Sequence, residues 1–368
     1  MRIPRHIYLN RFLVILQVTA FLSTIAWSQD VYSRFRVEKG SGAITRTGNM
    51  GGSCEGIDVE KGFDLAAVYR EAIDMASVAV ASMDNYAADA TIRANLQTWF
   101  GIKEDPVTHA VSAASVARFA KVKRYFQTVI SDSGKAHDGA NPALFCSEKW
   151  RWRTRWVHDP QTGKKTGKLL KDYFGVEWLA WSPRFKDYSQ ENIMCQGSTF
   201  AFTSHGDWRS ITFCPISFEF PRRKHTLGPW RNGQRTIADG TNMQSALSTP
   251  ALFLHELMHM VNRARDVRFT NPSNGKVEAA YGAVLTGTLA LAAPDESANN
   301  ADNYMWCATA LYLPQYDFSR VISGKRTAHG AARRSISAEA HGRKHTHHSQ
   351  KRRHYTTDLE MGDDRWLL

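Results

Sequence analysis

The chain has 368 residues, of which 43% are hydrophobic and 22% charged, and it contains 18 Phe, 12 Tyr and 11 Trp. This apolar content is enough for one sizeable core or two smaller ones. It excludes a fully disordered chain, a collagen-like repeat and a small disulfide-stapled domain. The formal net charge is +12, but the stretch 320–354 alone holds ten Lys/Arg against one acidic residue. The folded part is therefore nearly neutral, and a basic binding face on it is not implied.

The N-terminal 28 residues have the pattern of a secretory signal. Arginines precede the apolar stretch Phe12–Ile25, and Ala26 and Ser28 stand three and one residues before a cleavage point at Gln29. The apolar stretch is shorter than the roughly 20 residues that a bilayer span needs, so cleavage is favoured over anchoring. We expect a secreted, extracellular protein without a stable membrane anchor.

An oxidising compartment makes most cysteines candidates for disulfides. Cys195 and Cys214 flank a hairpin-like segment, so we predict that they pair with each other. Cys54 and Cys146 form the second predicted pair. Cys307 remains unpaired and is expected to be buried in a helix.

Between the two ends, the apolar periodicity divides the chain into three parts. Residues 60–133 have helix-period patterns over Phe63–Ser82, Ala88–Phe100 and Val107–Ile130. Short β-branched and aromatic runs follow, chiefly within 145–218. The stretch from Ser248 to Tyr316 is helical again. Helices, a small sheet and further helices predict an α+β fold, mainly helical, with the sheet preceding the last helices.

The flanking segments are assigned separately. Residues 29–59 are predicted to be an N-terminal extension, which a pro-segment would fit. Residues 319–368 are rich in His, Arg, Ser and Gly and are predicted to be a disordered basic tail. The folded domain is expected to span 60–318, with a helical part at 60–133 and a sheet and active-site part at 145–318.

The segment Ser248–Asp266 carries the pattern His-Glu-x-x-His on an apolar helix. Ser248 or Thr249 can cap this helix, and Pro250 suits its first turn. His255 and His259 are four residues apart, so both imidazoles project from one face and can reach one ion. Glu256 is offset by one position and can accept a proton from a water on that ion.

A catalytic zinc ion takes three protein ligands and keeps one position open. The downstream candidates for the third ligand are Asp266, Glu278, Asp295 and Asp302. Glu278 is favoured because 18 residues separate it from His259, a spacing similar to that of some gluzincins. Asp266 is the reserve.

The segment Glu278-Ala279-Ala280-Tyr281-Gly282 resembles the D-x-x-Y-G element of the aspzincins, the deuterolysin-like zinc metallopeptidases, with Glu in place of Asp. Further stretches extend the resemblance over roughly residues 93–316: Trp99-Phe100-Gly101, the strand Ile211–Cys214, and Asn300-Ala301-Asp302-Asn303-Tyr304. The usual G-T before the ligand position is absent, since Asn274-Gly275-Lys276-Val277 stands there.

The resemblance implies a mainly helical, zincin-like metalloprotease fold and a role for each matching residue. His255, His259 and Glu278 would bind Zn2+, Glu256 would be the general base, and Tyr281 would donate its hydroxyl to the oxyanion. Asp302 matches one of two acids that bind substrate in lysine-specific members. The other acid is replaced by an apolar methionine, so a strict lysine preference is not expected.

The sequence therefore predicts a secreted zinc metalloendopeptidase that acts on protein or peptide substrates as a monomer, with no specific nucleic-acid partner. One alternative is a catalytically weak or inactive secreted binding protein or effector on a metallopeptidase fold. A second is a binder of polyanions through the cationic tail, with the core as a scaffold.

Overall fold

The computed structural model describes eleven stretches of the chain: 30–37, 54, 64–135, 141–148, 151–182, 187–189, 194–195, 199–204, 210–219, 226–320 and 324–325. The predicted signal 1–28 lies outside the described residues, as does most of the predicted tail 319–368. The start of that tail is ordered rather than disordered, since Gly324–Lys325 pairs as a strand with Tyr316–Asp317.

Helices dominate the described part of the chain. The α-helices are α1 Val31–Arg34, α2 Leu65–Asp84, α3 Ala90–Phe100, α4 Val116–Asp132, α5 Leu170–Phe174, α6 Ile216–Glu219, α7 Gly228–Arg231, α8 Thr249–Asn262, α9 Gly282–Ala292, α10 Pro294–Ser297 and α11 Ala301–Tyr312. Short 3-10 turns occupy Tyr86–Ala88, Ala113–Ser115 and Met243–Ala246.

The strands are short and form several small sheets. They are β1 Arg36–Val37, β2 Ala143–Phe145, β3 Trp152–Thr154, β4 Trp156–His158, β5 Lys165–Leu169, β6 Leu179–Ser182, β7 Asp187–Ser189, β8 Ala201–Ser204, β9 Ser210–Phe213, β10 Arg268–Thr270, β11 Val277–Ala279, β12 Tyr316–Asp317 and β13 Gly324–Lys325. The largest sheet has the order β1-β2-β9-β8, with β8 antiparallel to β9 and the other pairs parallel. The predicted α+β class, mainly helical with a small sheet before α8, is confirmed.

The first helical part follows the sequence pattern closely. Asp64 and Asp89 accept backbone N–H bonds at the starts of α2 and α3, which satisfies donors that a helix leaves unpaired. The predicted helix from Val107 was wrong at its start, because Asp105 accepts bonds from the backbone N–H groups of Val107 and Thr108 and forms a turn. Helix α4 begins only at Val116.

Helix α8 lies at the centre of the core and packs against α2, α4, α11 and strand β8. Phe253 of this helix contacts the rings of Phe35, Tyr69 and Phe213 at centroid distances of 5.7, 5.5 and 5.2 Å. A helix that is covered on most sides must be apolar on most sides, which explains its composition. The polar side chains that remain on α8 therefore need partners inside the protein.

Residues 30–37, which the sequence analysis assigns to an N-terminal extension, lie in the same core. The side chains of Val31 and Phe35 are buried, and β1 pairs in parallel with β2. Removal of this segment would uncover Tyr69 and Phe253 and expose an edge of the sheet.

Both predicted disulfides are present. Cys54 pairs with Cys146, and Cys195 pairs with Cys214 across the end of the β8–β9 hairpin. Cys307 is a free, buried thiol in α11, as predicted, and burial raises its pKa. Among the described residues, no helix combines the length and the apolar character needed to span a bilayer.

Gly101 ends α3 at a point where α9 comes very close. Its φ is +60°, and a Cβ at this position would lie 2.6 Å from the carbonyl oxygen of Ala290 and 2.7 Å from Cβ of Pro294. Only glycine fits both the left-handed conformation and the close approach.

We expect Gly101→Ala to lower the free energy of unfolding by roughly 2 kcal/mol or more, because α9 must shift to relieve the contact. Urea unfolding followed by circular dichroism measures the change. Gly233→Ala is the matched control, since its φ is +72° and nothing lies within 4 Å of the added Cβ. It should cost only the left-handed backbone term of about 1 kcal/mol. Equal losses in both variants would contradict the close packing of α3 against α9.

Glu71 of α2 is buried, and its two carboxylate oxygens lie 2.8 and 3.0 Å from the backbone nitrogen of Leu227, which donates to them. Burial raises the pKa of Glu71 to about 7, although the backbone N–H groups of Leu227 and Gly228 oppose the rise. Between pH 4.5 and 7 the folded protein therefore holds a proton that the unfolded chain has lost. This contribution to stability is present at low pH and disappears as the pH rises.

We expect Glu71→Gln to flatten the decline in unfolding free energy between pH 4.5 and 7 by on the order of 1 kcal/mol per pH unit. Urea unfolding of both proteins at several pH values measures the difference. A wild-type decline that the variant reproduces in full would show that other groups cause it.

Candidate metal centre

Helix α8 presents His255 and His259 on one face, as the sequence predicts. Ser248 caps the helix by accepting a bond from the backbone N–H of Ala251 at 3.3 Å, and Pro250 stands in the first turn. The two Nε2 atoms face each other at 2.9 Å. Both imidazoles are buried within the core.

The helix ends one turn after His259 because Arg263 adopts a left-handed conformation with φ 55°. The N–H groups of Arg263 and Ala264 donate to the carbonyl oxygens of His259 and Met258, which completes a common type of helix ending. This turn reverses the chain at once. As a result Asp266, seven residues after His259, comes back to the two imidazoles.

The ligand atoms of His255, His259 and Asp266 match the shape of a zinc site. Oδ1 of Asp266 lies 3.5 Å from Nε2 of His255 and 3.3 Å from Nε2 of His259. A tetrahedral zinc ion with bonds of about 2.0–2.1 Å requires ligand atoms roughly 3.3 Å apart. Two nitrogens and one carboxylate oxygen at 2.9–3.5 Å meet this requirement. Three such ligands leave the fourth position for water or substrate.

Each histidine has an oxygen atom close to its other ring nitrogen, in a hydrogen bond for His259 and at ion-pair distance for His255. Nδ1 of His259 hydrogen-bonds the carbonyl oxygen of Ala264 at 2.6 Å, which fixes the proton on Nδ1 and leaves Nε2 as the metal-binding atom. Oδ1 of Asp302 lies 2.7 Å from Nδ1 of His255. A carboxylate or carbonyl behind a ligand histidine orients the ring and raises its basicity.

Asp302 therefore has a different position from the predicted substrate-binding one. Its side chain is buried behind His255, and its Oδ2 accepts a bond of 2.7 Å from the backbone N–H of Gly282. In this place Asp302 is a positioning residue for His255. The sequence identified Asp302 as a residue of the site. It did not show that the carboxylate lies behind His255, next to Nδ1, rather than in the substrate-binding region.

Glu278, the favoured third ligand, is not brought to the histidines. It lies on β11 in a hairpin with β10 that the sequence did not predict, and the amides of Asn271 and Asn274 donate to its two oxygens at 2.7 and 3.1 Å. These bonds lower its pKa. The chain reverses at Arg263, so Asp266, which is close to His259 in sequence, reaches the two imidazoles. The geometry therefore favours Asp266, the second candidate, over Glu278 as the third ligand.

Glu256 is buried beside the histidines and is held by the edge strand β8. Oγ1 of Thr203 lies 2.7 Å from Oε2 of Glu256 and 3.1 Å from its backbone oxygen, and can donate to either. Burial raises the pKa of Glu256, while His255 and His259 oppose the rise. Thr203 is a site residue that the sequence analysis missed, since only the pairing of β8 with the sheet brings it to α8.

Tyr281 lies at the rim of the same site. Its ring is tilted over that of His255 at a centroid distance of 6.5 Å, and its side chain is about half exposed. Partial burial and the neighbouring carboxylates, Asp266 first, raise the pKa of its hydroxyl. Tyr281 therefore stays protonated and can donate a hydrogen bond.

The two histidines and Asp266 form a tight charge cluster. Burial lowers the pKa of both histidines, but the carboxylates of Asp266 and, for His255, Asp302 outweigh this effect and raise it. Burial alone would raise the pKa of Asp266, but the histidines hold it far below its usual range. A divalent cation must displace the protons on these imidazoles, so its affinity falls as the pH is lowered.

Buried amides hold the segments that carry Asp266 and Tyr281. The side chain of Asn300 accepts from the backbone N–H of Val267 at 2.9 Å and donates to the carbonyl of Ala280 at 3.1 Å. It also donates to Asn303 at 2.8 Å, and Asn303 donates to the carbonyl oxygens of Trp99 and Thr286. The stretch that resembles the aspzincin N-A-D element thus links the site to α3 and α9.

No protein-family model and no curated protein sequence matches this chain. Among solved structures, the chain is similar to a zinc peptidase from Grifola frondosa, with a TM-score of 0.31 and 14% sequence identity. The alignment covers 67% of this chain and 96% of that one. A structural similarity this weak does not support an assignment of function.

The placement of the two acids gives a direct test of the ligand set. We expect Asp266→Ala to weaken zinc binding by more than the roughly 10–100-fold that loss of a supporting hydrogen bond costs, because a ligand is removed. Glu278→Ala, the matched control, should leave the affinity within about threefold, since its oxygens are bound by asparagines. Competition with a chromophoric chelator measures both constants. A larger loss in Glu278→Ala would return Glu278 to the ligand set.

Proposed function

We propose that this protein is a secreted zinc-dependent endopeptidase. The observation that carries the proposal is the buried cluster of His255, His259 and Asp266, whose ligand atoms have tetrahedral spacing and leave one position open. Glu256 and Tyr281 lie near the two histidines, and in this proposal they supply the general base and the hydrogen-bond donor. A structural zinc site would take a fourth protein ligand instead.

His255, His259 and Asp266 would hold the zinc ion. When bound, zinc lowers the pKa of a coordinated water and polarises the carbonyl of the peptide bond that is cleaved. The chain's own residues orient the ligands: Ala264 and Asp302 fix the two imidazole rings.

Glu256 acts as the general base and then as the general acid. Its carboxylate accepts the proton of the attacking water and delivers that proton to the leaving amine. Thr203 holds Oε2, which leaves Oε1 for the proton transfer. The hydroxyl of Thr203 also lies 3.1 Å from the backbone oxygen of Glu256, so this one side chain contacts both the carboxylate and the main chain of the general base.

Tyr281 stabilises the developing charge on the carbonyl oxygen. Its hydroxyl remains protonated because burial and then the neighbouring carboxylates raise its pKa. In the structure this hydroxyl interacts with Asp266, and in the proposed reaction it turns from that carboxylate to the carbonyl oxygen of the substrate.

Secretion is supported by two disulfides, which persist in oxidising compartments. The predicted signal agrees with this location. The open position and the half-exposed Tyr281 suit a polypeptide substrate that approaches from solvent. A monomer is sufficient for this site, since the ligands and the base all come from one chain.

We expect Glu256→Gln to retain one zinc ion per chain and to lose casein hydrolysis by roughly 10²–10⁴-fold, because the amide cannot accept the proton. Metal analysis and a fluorescent casein assay measure the two quantities. Removal of zinc with a chelator should abolish wild-type activity, and added zinc should restore it. Activity in Glu256→Gln within tenfold of the wild type would refute the mechanism.

A further inference from the structure

Away from the candidate metal centre, one part of the surface is strongly positive, although the folded part as a whole is nearly neutral. We call the stretch 153–176 the cationic ribbon. It contains six cations, Arg153, Arg155, Lys164, Lys165, Lys168 and Lys171, against two acids, Asp159 and Asp172. All six cationic residues are exposed. The ribbon comprises the end of β3, the β4–β5 hairpin and helix α5, and none of its residues belongs to the candidate metal centre.

Strand β5 is uncovered on both faces. Its residues Lys165 to Lys168 are all exposed, and only Leu169 is half-buried. A strand in a two-stranded ribbon with neither face covered contributes little to a core. A surface of this kind is free to meet a partner.

Aromatic rings hold several of the cations in place. The guanidinium of Arg155 and the ammonium of Lys165 lie 5.5 and 5.9 Å from the ring centre of Trp156. Lys168 lies 5.6 Å from the ring centre of Tyr173. These contacts restrict long side chains that would otherwise be mobile, so the charges are arranged before a partner arrives.

Apolar side chains project beside these lysines. Tyr173 is 61% exposed, Phe174 50% and Val176 38%, at the end of α5 where Gly175 turns the chain. The two rings meet edge to face at 5.0 Å. Neighbouring exposed apolar groups of this size are unfavourable in water and mark a contact surface.

We propose that the cationic ribbon binds the surface of an anionic lipid membrane, with its lysines at the phosphates and the Tyr173–Val176 tip at headgroup depth. Cations and interfacial aromatic residues are the combination that such a surface accommodates. A soluble polyanion matches the charge but gives no role to an apolar tip. A single-stranded nucleic acid needs open ring faces for stacking, whereas Trp156 and Tyr173 already carry cations of the same ribbon.

The partner membrane is recognised by charge, so the test compares two kinds of vesicle. The full chain is sedimented with vesicles of phosphatidylcholine alone and with vesicles that also contain phosphatidylserine. The wild type should bind the anionic vesicles and be released by salt. Each cation near such a surface contributes about fivefold to the partition coefficient. The triple variant Lys165→Gln, Lys168→Gln, Lys171→Gln should therefore bind roughly a hundredfold more weakly.

The basic C-terminal tail offers a matched control with the same change in net charge. Lys344→Gln, Lys351→Gln, Arg353→Gln removes three cations from the tail and leaves the ribbon intact. We expect this variant to lose much less vesicle binding than the ribbon variant. A larger loss in the tail variant, or none in the ribbon variant, overturns the proposal. The thermal unfolding midpoint verifies that each variant is folded.

The apolar tip separates a membrane from a soluble polyanion. Tyr173→Ser with Phe174→Ser should weaken vesicle binding by roughly tenfold or more, and should leave binding to immobilised heparin unchanged. Full vesicle binding by this variant shows that charge alone acts and overturns the membrane assignment. Tighter binding of the wild type to a single-stranded oligonucleotide than to anionic vesicles, lost in the same variant, overturns it in favour of a nucleic acid.

Discussion

The hydrogen bond from Nδ1 of His259 to the carbonyl of Ala264 is the contact on which the candidate metal centre depends. It exists because Arg263 takes a left-handed conformation and turns the chain back along the helix. The same turn sets the tautomer of His259 and returns Asp266 to the imidazoles. A longer helix would carry Asp266 away from the site, and the two Nε2 atoms would then lose the carboxylate that they share.

Residues at the start of α11 support the site in addition to helix α8. Asn300 bonds the backbone on both sides of the β10–β11 hairpin, at Val267 and at Ala280, so the hairpin projects without disturbing the residues before and after it. Asp302, two residues further on, contacts His255. One short stretch of α11 and its N-terminus therefore positions a ligand histidine and the segments that carry Asp266 and Tyr281.

Charged side chains are arranged differently in two parts of the molecule. In the metal centre, carboxylates offset the histidines and favour a cation, and burial strengthens each interaction. On the cationic ribbon, six exposed cations stand against two acids. A net charge counted over the whole folded part averages these regions and hides the ribbon. The proposed peptidase activity and the proposed membrane contact use separate residues, so each stands without the other.

The sequence by itself determined the helix that carries His255 and His259, because helix period, cap and apolar pattern are local properties. It also favoured the two disulfide pairs that the structure shows, and it determined the α+β class. Only the tertiary structure decided that Asp266 rather than Glu278 closes the cluster, and that Asp302 lies behind His255. Both positions depend on the reversal of the backbone at Arg263 and on contacts between segments that are distant in sequence. Neither can be predicted from the spacing of residues along the chain.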